Sequence, residues 1–289
     1  MSTKQHQSTI LITGATRGIG QSTAKLLVDN GCLVIMHGRD ESAARASCTR
    51  LGTPETLTPV WGDLADLKQV HALANQVLDA TSVLDGVILN AGVFQPGCLT
   101  SVDGFELDFA VNYLSHLLLI HLLHDRLLSA SEARVIFVSS SAYINGEVDL
   151  AHFGAQHMHD PLKAYATSKL LCLMAALELA RRLSGSSVCV NACNPGPTRT
   201  SILDAGKNYG WRATGGTPLA AARRLAWLVL SPDLHGVSGR YFNDRRTPNV
   251  PKRMRDPAAL TAVYEASMRL CTSFKKPLSK KLPRITGGT

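Results

Sequence analysis

Several features that would place this chain in other protein classes are missing from its sequence. Its seven cysteines form no CxxC pair, which argues against a zinc knuckle and a disulfide framework: Cys32, Cys48, Cys98, Cys172, Cys189, Cys193 and Cys271. The most apolar stretch, near residues 117–123, is interrupted by histidines, so nothing approaches the roughly 18 apolar residues of a membrane-spanning helix. The first ten residues hold neither an apolar signal core nor an Arg-rich presequence. We therefore expect a cytoplasmic protein with reduced, buried cysteines.

Acidic residues are missing from the carboxyl-terminal segment. The net charge of +8 is concentrated late, because residues 266–289 hold six basic side chains and no acidic one: Arg269, Lys275, Lys276, Lys280, Lys281 and Arg284. Such a segment could touch an anionic membrane surface or nucleic acid, but it has no lipidation motif and resembles no base-reading module. We predict one domain over residues 1–274 and a solvated, disordered basic tail over residues 275–289.

Short apolar or β-branched runs alternate along the chain with longer amphipathic stretches, which is the pattern of βαβ units. The predicted strands cover residues 9–13, 33–36, 58–61, 86–90, 134–139, 188–192 and 239–242. The predicted helices cover residues 18–30, 41–51, 67–79, 104–128, 161–183, 218–231 and 257–271. The sequence therefore predicts an α/β fold: a single Rossmann-like domain with a doubly wound parallel sheet and insertions beside the substrate cleft.

A glycine-rich turn, TGATRGIG, lies between the first predicted strand and the first predicted helix. Its glycines allow a tight turn and a close approach of the backbone to a pyrophosphate at the helix N-terminus. A glycine-rich turn alone is a weak signal, but this position within a βαβ unit strengthens it. We predict a dinucleotide site formed by Gly14, Thr16, Arg17, Gly18, Ile19 and Gly20.

The segment just after the second predicted strand, LVIMHG followed by Arg39, bears on the choice of cofactor. An acidic side chain there would hold the ribose 2′-hydroxyl of NAD, whereas an arginine would hold the 2′-phosphate of NADP. This chain has Arg39, and Arg17 is a second cation within reach, so we predict NADP(H) rather than NAD(H). Two alternatives stay open: Asp40 leaves room for NAD, and Arg39 could be a solvated residue before a helix cap.

Two further segments fit the same pocket. Asp63 and Leu64 follow the third predicted strand, where a carboxylate can accept from the adenine amino group. Asn90, Ala91 and Gly92 end the fourth, at the sheet edge where ligands bind. Each segment alone could be ordinary loop chemistry.

Tyr165 and Lys169 are spaced four residues apart on a predicted helix, downstream of three serines that follow the fifth predicted strand. This spacing places both side chains on one helix face, so the ammonium can lower the phenol pKa from its ordinary value of about 10. A Tyr-x-x-x-Lys pattern by itself is common. Combined with the glycine turn and the serines in this order, it predicts acid–base catalysis.

The motifs TGATRGIG, NAG, SSS, YATSK and NPGPTRT, in that order, resemble those of the short-chain dehydrogenase/reductase family, over roughly residues 9–270. The segments VNYLSHLLL, YATSKLLCLMAALELARRL and SGRYFNDRRTP are most similar to the retinol dehydrogenase-like and protochlorophyllide reductase-like branch. This resemblance implies hydride transfer between a nicotinamide and a carbonyl or alcohol. Members of that branch act mostly on bulky lipophilic compounds.

The resemblance also implies roles for individual residues. Ser140 would hydrogen-bond the substrate oxygen, with Ser139 and Ser141 as register alternatives. Tyr165 would donate a proton to the carbonyl oxygen during reduction and accept one during oxidation. Lys169 would hold the nicotinamide ribose and tune Tyr165.

Asn112 matches the family asparagine that supports a water-mediated proton path to Lys169. The alternative for Asn112 is a buried polar residue that is satisfied locally. Pro195, Gly196 and Thr198 match the turn that packs against the nicotinamide.

Two segments differ from the simplest members of the family. The 24 residues between Ser140 and Tyr165 carry His152, His157 and His159, which we predict to be surface or cleft-lining residues rather than a metal site, because no carboxylate or cysteine completes a recognisable set. Residues 201–217 could form a mobile lid over the cleft or a packed helix and loop.

The sequence thus favours an NADP-dependent carbonyl reductase or alcohol dehydrogenase of a lipophilic small molecule, without a metal. A non-catalytic dinucleotide sensor and a repurposed isomerase or cyclase on the same fold are the alternatives. The family commonly forms dimers or tetramers through the long helices that bear Asn112 and Tyr165, so a homodimer and a homotetramer both stay open.

Overall fold

The computed structural model describes residues 7–52, 55–97, 99–155, 160–211 and 215–272. Cys98, His157, His159, the predicted domain limit at residue 274 and the predicted basic tail over residues 275–289 lie outside these ranges.

The strands of the described chain form one parallel sheet of seven, in the order β3-β2-β1-β4-β5-β6-β7. They are β1 Thr9–Ile12, β2 Leu33–Gly38, β3 Leu57–Trp61, β4 Gly86–Leu89, β5 Ala133–Val138, β6 Val188–Asn194 and β7 Tyr241–Asn243. The chain leaves β1 towards β2 and later returns to pair β4 on its other side, so the strand order reverses between β1 and β4. Ligands of such sheets bind at this reversal, beyond the carboxyl ends of the strands.

Helices cover both faces of the sheet, which confirms the predicted doubly wound architecture. They are α1 Gly18–Asp29, α2 Glu41–Leu51, α3 Leu67–Ala80, α4 Leu107–Phe109, α5 Ser115–Leu122, α6 His124–Leu128, α7 Pro161–Arg182, α8 Ser201–Gly206, α9 Pro218–Leu230 and α10 Pro257–Thr272. Successive residues of β1 point to opposite faces: Ile10 and Ile12 pack with α1 and α9, whereas Leu11 packs with α3, α5 and α7.

The predicted helix over residues 104–128 is wrong as a single element. Gly104 has a left-handed φ of 84°, and the helix begins only at Leu107, where the Glu106 carboxylate caps it. One turn of π-helix, Ala110–Leu114, then separates α4 from α5, and the helix is interrupted again at Leu123 before α6. An amphipathic pattern does not reveal an extra residue in one turn, and such π-turns often mark functional positions.

The last strand begins two residues later than predicted. Gly239 has a left-handed φ of 71°, and the Arg240 N–H donates to the side chain of Asn191 at 2.9 Å rather than to a strand carbonyl. Helix α10 then packs against α7, where Arg182 stacks over the ring of Tyr264 at 4.0 Å. This contact covers part of α7, a helix that the sequence analysis offered for pairing between copies.

The cysteines within the described ranges are buried, as predicted, and none is disulfide-bonded: Cys32, Cys48, Cys172, Cys189, Cys193 and Cys271. Over the same ranges, no helix has both the length and the apolar character needed to cross a bilayer.

Candidate active site

The glycine turn between β1 and α1 is closely packed. Gly14 has a left-handed φ of 64°, and a Cβ on it would lie 2.8 Å from the Cα of Ala91. A Cβ on Gly20 would lie 2.2 Å from the Gly14 carbonyl oxygen and 2.6 Å from Nδ2 of Asn90. Any side chain at either position would therefore collide with the backbone, and at Gly20 it would also collide with the Asn90 amide. The two glycines therefore let the turn pack directly against the segment after β4.

Two side chains, the buried His37 and the half-buried Asn90, hold this turn in place. The Gly14 N–H donates to Nδ1 of His37 at 3.1 Å, while Nε2 of the same ring lies 2.8 Å from the Gly62 carbonyl oxygen. Burial lowers the pKa of His37, so the ring is neutral and Nε2 is the donor to Gly62. Asn90, at the end of β4, donates to the carbonyl oxygens of Thr13 and Gly14. The sequence analysis missed His37 because nothing in a strand residue's type predicts this contact.

The side chains predicted to select the cofactor lie around the end of β2. Arg17 and Arg39 are both exposed. The Asp40 carboxylate accepts from the Ala43 N–H at 2.8 Å and caps α2, so it is engaged within its own helix. Arg50, which the sequence analysis did not single out, donates from Nη2 to the Thr16 carbonyl oxygen at 3.1 Å. This adds a third guanidinium group beside the glycine turn.

The segment after β3 is an ordered loop. Asp63 accepts a hydrogen bond from the Ala65 N–H at 2.9 Å, which orders the loop. The side chain of Leu64 is only 4% exposed and lies in the core. A cofactor contact at Leu64 would therefore come from its backbone.

The predicted catalytic side chains converge at the end of β5. Tyr165 is hydrogen-bonded to the side chain of Ser140. Lys169 Nζ lies 5.7 Å from the centre of the Tyr165 ring and donates to the Val138 carbonyl oxygen at 3.1 Å. The Ser139 hydroxyl instead donates to the Lys169 carbonyl oxygen at 2.7 Å. Of the serines considered in the sequence analysis, Ser140 is therefore the one whose side chain contacts Tyr165.

The phenol of Tyr165 is more strongly affected by burial than by its neighbours. Its side chain is 6% exposed, and this burial raises its pKa above the ordinary value. Lys169 and the hydrogen bond with Ser140 lower the pKa, as the sequence analysis expected of the lysine, but they do not offset the burial. Lys169 therefore acts in the predicted direction, but the net change in the phenol pKa is upward, because helix spacing does not reveal what covers the ring.

Asn112 is held rigidly inside the π-turn. Its Oδ1 accepts from the Val93 N–H at 2.7 Å, and its Nδ2 donates to the Val93 carbonyl and to the Ser168 hydroxyl. A Cβ added to Gly92 would lie 3.2 Å from Oδ1 of Asn112 and 3.3 Å from Nζ of Lys169. The side chains of Asn112 and Lys169 therefore both lie against Gly92.

The backbone carbonyl of Asn112 forms a second set of contacts. It lies 3.0 Å from Nδ1 of His116 and accepts from the Cys172 thiol at 3.1 Å. Nε2 of His116 in turn lies 2.9 Å from the hydroxyl of Thr13, the last residue before the glycine turn. A buried hydrogen-bond path thus joins the turn to Asn112.

The predicted nicotinamide turn follows β6. The Gly196 N–H donates to the Asn194 side chain at 3.0 Å, and the Thr198 hydroxyl donates back to the Gly196 carbonyl at 3.0 Å. Arg224 of α9 donates to the Pro195 carbonyl at 2.7 Å. The sequence analysis missed Arg224, which is 29 residues away in the chain.

A cleft of about 540 Å³ at the carboxyl edge of the sheet is lined by residues of both the predicted cofactor site and the predicted catalytic site. Nine predicted residues line it: Ile19, Asn90, Gly92, Ser140, Tyr165, Lys169, Pro195, Gly196 and Thr198. Asn112 lies buried behind this wall, while Arg17, Arg39 and Asp63 lie beyond the lining, towards the ends of β2 and β3.

The segment that follows the nicotinamide turn packs over Tyr165. The Trp211 ring lies 5.3 Å from the ring of Tyr165 and 4.8 Å from that of Phe94, measured between centres. Tyr209 lies 5.5 Å from Phe94 and donates to the Pro96 carbonyl at 3.0 Å. The described part of residues 201–217 is therefore a helix and a loop in contact with the site.

The insertion between Ser140 and Tyr165 begins with a 3₁₀ turn, Ser141–Asn145. His152 within it is exposed and pairs with Asp149 at 2.7 Å. Among the described residues, no group of three or more His, Cys, Asp or Glu side chains is arranged to hold a metal ion.

Comparison with known proteins identifies the family. The family model described as short chain dehydrogenase matches residues 8–208. Retinol dehydrogenase 14 of Mus musculus is 36% identical over 91% of this chain and 85% of its own length. A Streptomyces protein named as a candidate daunorubicin C-13 ketoreductase is 32% identical over 90% of this chain and 91% of its own length.

A solved structure agrees with these sequence relatives. A short-chain dehydrogenase from Escherichia coli CFT073, in complex with NADPH, has a TM-score of 0.67 and 26% identity, over 83% of this chain and 97% of that one. The chain belongs to the short-chain dehydrogenase/reductase family of oxidoreductases, in its retinol dehydrogenase-like branch.

Proposed function

We propose that this protein is an NADP(H)-dependent oxidoreductase that interconverts a carbonyl group and an alcohol on a bulky lipophilic small molecule. The observation that carries the proposal is the convergence of Ser140, Tyr165 and Lys169 in a cleft that is also lined by Ile19 of the glycine turn and by the Pro195–Gly196 turn. Acid–base groups and a dinucleotide cradle in one cleft suit hydride transfer coupled to proton transfer.

The residues of the cleft fit a dinucleotide. Gly14 and Gly20 leave the turn without side chains where a pyrophosphate would approach α1, and Gly92 leaves room beside Lys169. When bound, the nicotinamide supplies or receives the hydride. The Lys169 ammonium would hold the ribose, and the Pro195–Gly196 turn would fix the nicotinamide ring.

In the proposed reduction, Ser140 donates a hydrogen bond to the carbonyl oxygen and Tyr165 transfers its phenolic proton to the same oxygen. The hydride adds to the carbonyl carbon, so the product is the alcohol and Tyr165 is left as a phenolate. Lys169 stabilises that phenolate through its positive charge. In oxidation the phenolate takes the proton back from the alcohol. Burial of the ring, which raises its pKa, favours the protonated phenol that reduction needs.

Three features support NADP(H) over NAD(H). Arg17 and Arg39 are exposed at the predicted ribose end. The Asp40 carboxylate, which left NAD use open, is engaged as the cap of α2. A dianionic 2′-phosphate suits two forked guanidinium groups, whereas a ribose hydroxyl suits a free carboxylate. The NADPH complex of the E. coli relative agrees with this choice.

The proposed substrate class rests on the apolar side of the cleft and on the relatives. Ile202, Leu203 and Trp211 line the cleft opposite the serines, and Phe94 packs against Trp211. The names of two relatives specify retinol and the C-13 ketone of daunorubicin, and both molecules are bulky. A pocket of this kind binds such molecules mainly by excluding apolar surface from water.

The test follows the oxidation of NADPH and of NADH against a panel of bulky ketones and aldehydes. We expect turnover with NADPH, consumption of one cofactor for each alcohol formed, and no turnover with Tyr165→Phe although that variant still binds NADPH. The change from phenol to phenyl removes the proton donor and little else. A Tyr165→Phe variant as active as the native enzyme would overturn the proposed role of Tyr165. Product formed without consumption of cofactor would instead indicate an isomerase or cyclase.

A further inference from the structure

A carboxyl group beside Lys169 has no part in the proposed mechanism. Asp108 lies in α4, one turn before Asn112, and is completely buried. Its Oδ1 accepts a hydrogen bond from the Gln95 N–H at 3.1 Å. Its Oδ2 is buried and has no hydrogen-bond partner among the described residues. An ionised carboxylate with an unsatisfied buried oxygen is strongly unfavourable, whereas the neutral acid carries less charge into the protein interior.

The charged groups that act on Asp108 come from both elements that pack around it. Glu106, on its own turn, opposes its ionisation, and Lys169 of α7 favours it. Burial is the largest effect, and the combined result raises the pKa of Asp108 to about 8. The Glu106 carboxylate is itself occupied, because it accepts from the N–H groups of Asp108 and Phe109. At neutral pH, Asp108 therefore holds a proton.

Asp108 is connected to Tyr165 in two ways. Through space, the ionised form of Asp108 raises the pKa of Tyr165, which is opposite to the effect of Lys169. Through the backbone, Asp108 anchors Gln95, and the neighbouring Phe94 packs edge-on against the Tyr165 ring with 5.6 Å between centres. The carboxyl group touches neither the cleft nor the phenol.

We propose that Asp108 is a positioning residue that is a neutral acid at neutral pH and a carboxylate at alkaline pH: it anchors the Phe94–Gln95 backbone over Tyr165, and its ionised form opposes ionisation of the phenol. This inference rests on the proposed acid–base role of Tyr165. Asp108 transfers no proton to the substrate. Its protonation state changes how readily Tyr165 ionises, in addition to the larger effects of burial and Lys169.

The test is Asp108→Asn, which keeps an acceptor for the Gln95 N–H and nearly the same volume but cannot ionise. Without the carboxylate, Tyr165 ionises more readily above neutral pH. The pH midpoint of alcohol oxidation therefore falls by about half a unit to one unit, and the alkaline limb of ketone reduction falls with it. NADPH affinity stays within about twofold, because the affected group lies outside the cofactor contacts.

Glu106→Gln is the matched control. It also removes a buried carboxylate from the same turn, but it lowers the pKa of Asp108 and so leaves more negative charge near Tyr165. We expect the pH midpoint of this variant to stay or to rise. An unchanged midpoint in Asp108→Asn, or an equal fall in both variants, would overturn the proposal, since the latter would indicate only a loosened turn.

Thermal unfolding provides a readout that needs no turnover. The folded-state pKa of Asp108 lies above its unfolded value, so the native protein loses stability from this group as the pH rises from about 4 to about 8. Asp108→Asn does not have this loss, so its Tm should exceed the native Tm by about 2 °C or more at pH 8 and match it at pH 4. If the whole panel gives no turnover, the proposed function is what fails. Equal Tm values at pH 8 would then overturn the neutral-acid assignment, and a higher variant Tm would support it.

Discussion

The guanidinium group of Arg224 joins the Pro195 carbonyl oxygen to the carboxylate of Asp244, with hydrogen bonds of 2.7 Å and 2.9 Å. A Cβ on Gly196 would lie 3.0 Å from Nη1 of Arg224, so the arginine lies directly against the turn that is proposed to hold the nicotinamide. These two hydrogen bonds connect α9 and the residue after β7 to the Pro195–Gly196 turn of the candidate active site.

Arg224→Ala should weaken cofactor binding without unfolding the protein. Removal of a charged hydrogen-bond donor costs about 1.5–3 kcal/mol, and part of this cost appears as a looser turn. We expect the Kd for NADPH, measured by fluorescence titration, to rise by roughly tenfold. Asp244→Asn is the control, because it leaves the bond between Arg224 and Pro195 in place and suits the left-handed backbone at this position. Equal effects of the two substitutions would contradict a specific role for the Pro195 contact.

Arg39→Ala should change cofactor preference more than overall activity. The lost guanidinium group would no longer meet the 2′-phosphate, so the Kd for NADPH should rise by about tenfold or more, while the Kd for NADH stays nearly constant. Arg45→Ala serves as a matched control, since Arg45 pairs with Glu41 on the exposed face of α2. The assignment fails if the Arg39 variant loses affinity for both cofactors equally.

Gly206→Ala tests the contact between the aromatic segment and Tyr165. A Cβ at this position would lie 2.1 Å from the Trp211 ring, so the indole must leave its position over Tyr165. Displacement of groups that cover the reacting centre by about 1 Å can cost up to a hundredfold, and we expect kcat/KM to fall between tenfold and a hundredfold. Gly210→Asn, at a left-handed residue with open space around it, is the control. A fall of the same size in that variant would indicate general disruption of the segment.

His116→Gln should make the protein less sensitive to acid. Burial lowers the pKa of His116 to about 3, well below its unfolded value, so the unfolded chain binds more protons between about pH 6.5 and pH 3. The native protein therefore loses stability as the pH falls through that window, and a glutamine cannot contribute to this loss. We expect lower stability at pH 7, by about 1 kcal/mol from the lost contacts, and a shallower pH dependence in urea unfolding. Parallel native and variant curves would contradict this assignment.

Local patterns in the sequence predict much of this architecture. Apolar runs predict all seven strands, and the position of TGATRGIG between a strand and a helix predicts the dinucleotide site. The helix spacing of Tyr165 and Lys169 correctly places them in one cleft. These features depend on residues that are neighbours in the chain, so the sequence contains the necessary information.

Contacts between distant residues could not be predicted in this way. His37 reaches the Gly14 N–H across 23 residues, and Arg224 reaches Pro195 across 29. The raised pKa of Tyr165 depends on burial that results from the whole fold, with Trp211 and Phe94 packed against the ring. The π-turn, too, contains a residue with distant partners, because Asn112 is hydrogen-bonded to Val93, 19 residues earlier in the chain.

The π-turn also makes the length of this segment critical. Each residue of an α-helix turns the chain by about 100°, so deletion of one residue from Ala110–Leu114 would rotate all of α5 by that angle relative to α4. His116 would then face away from Thr13 while Asn112 still faced Val93. We therefore expect the segment to be sensitive to a change in residue number, because Asn112 must reach Val93 beyond β4 while His116 reaches Thr13 after β1.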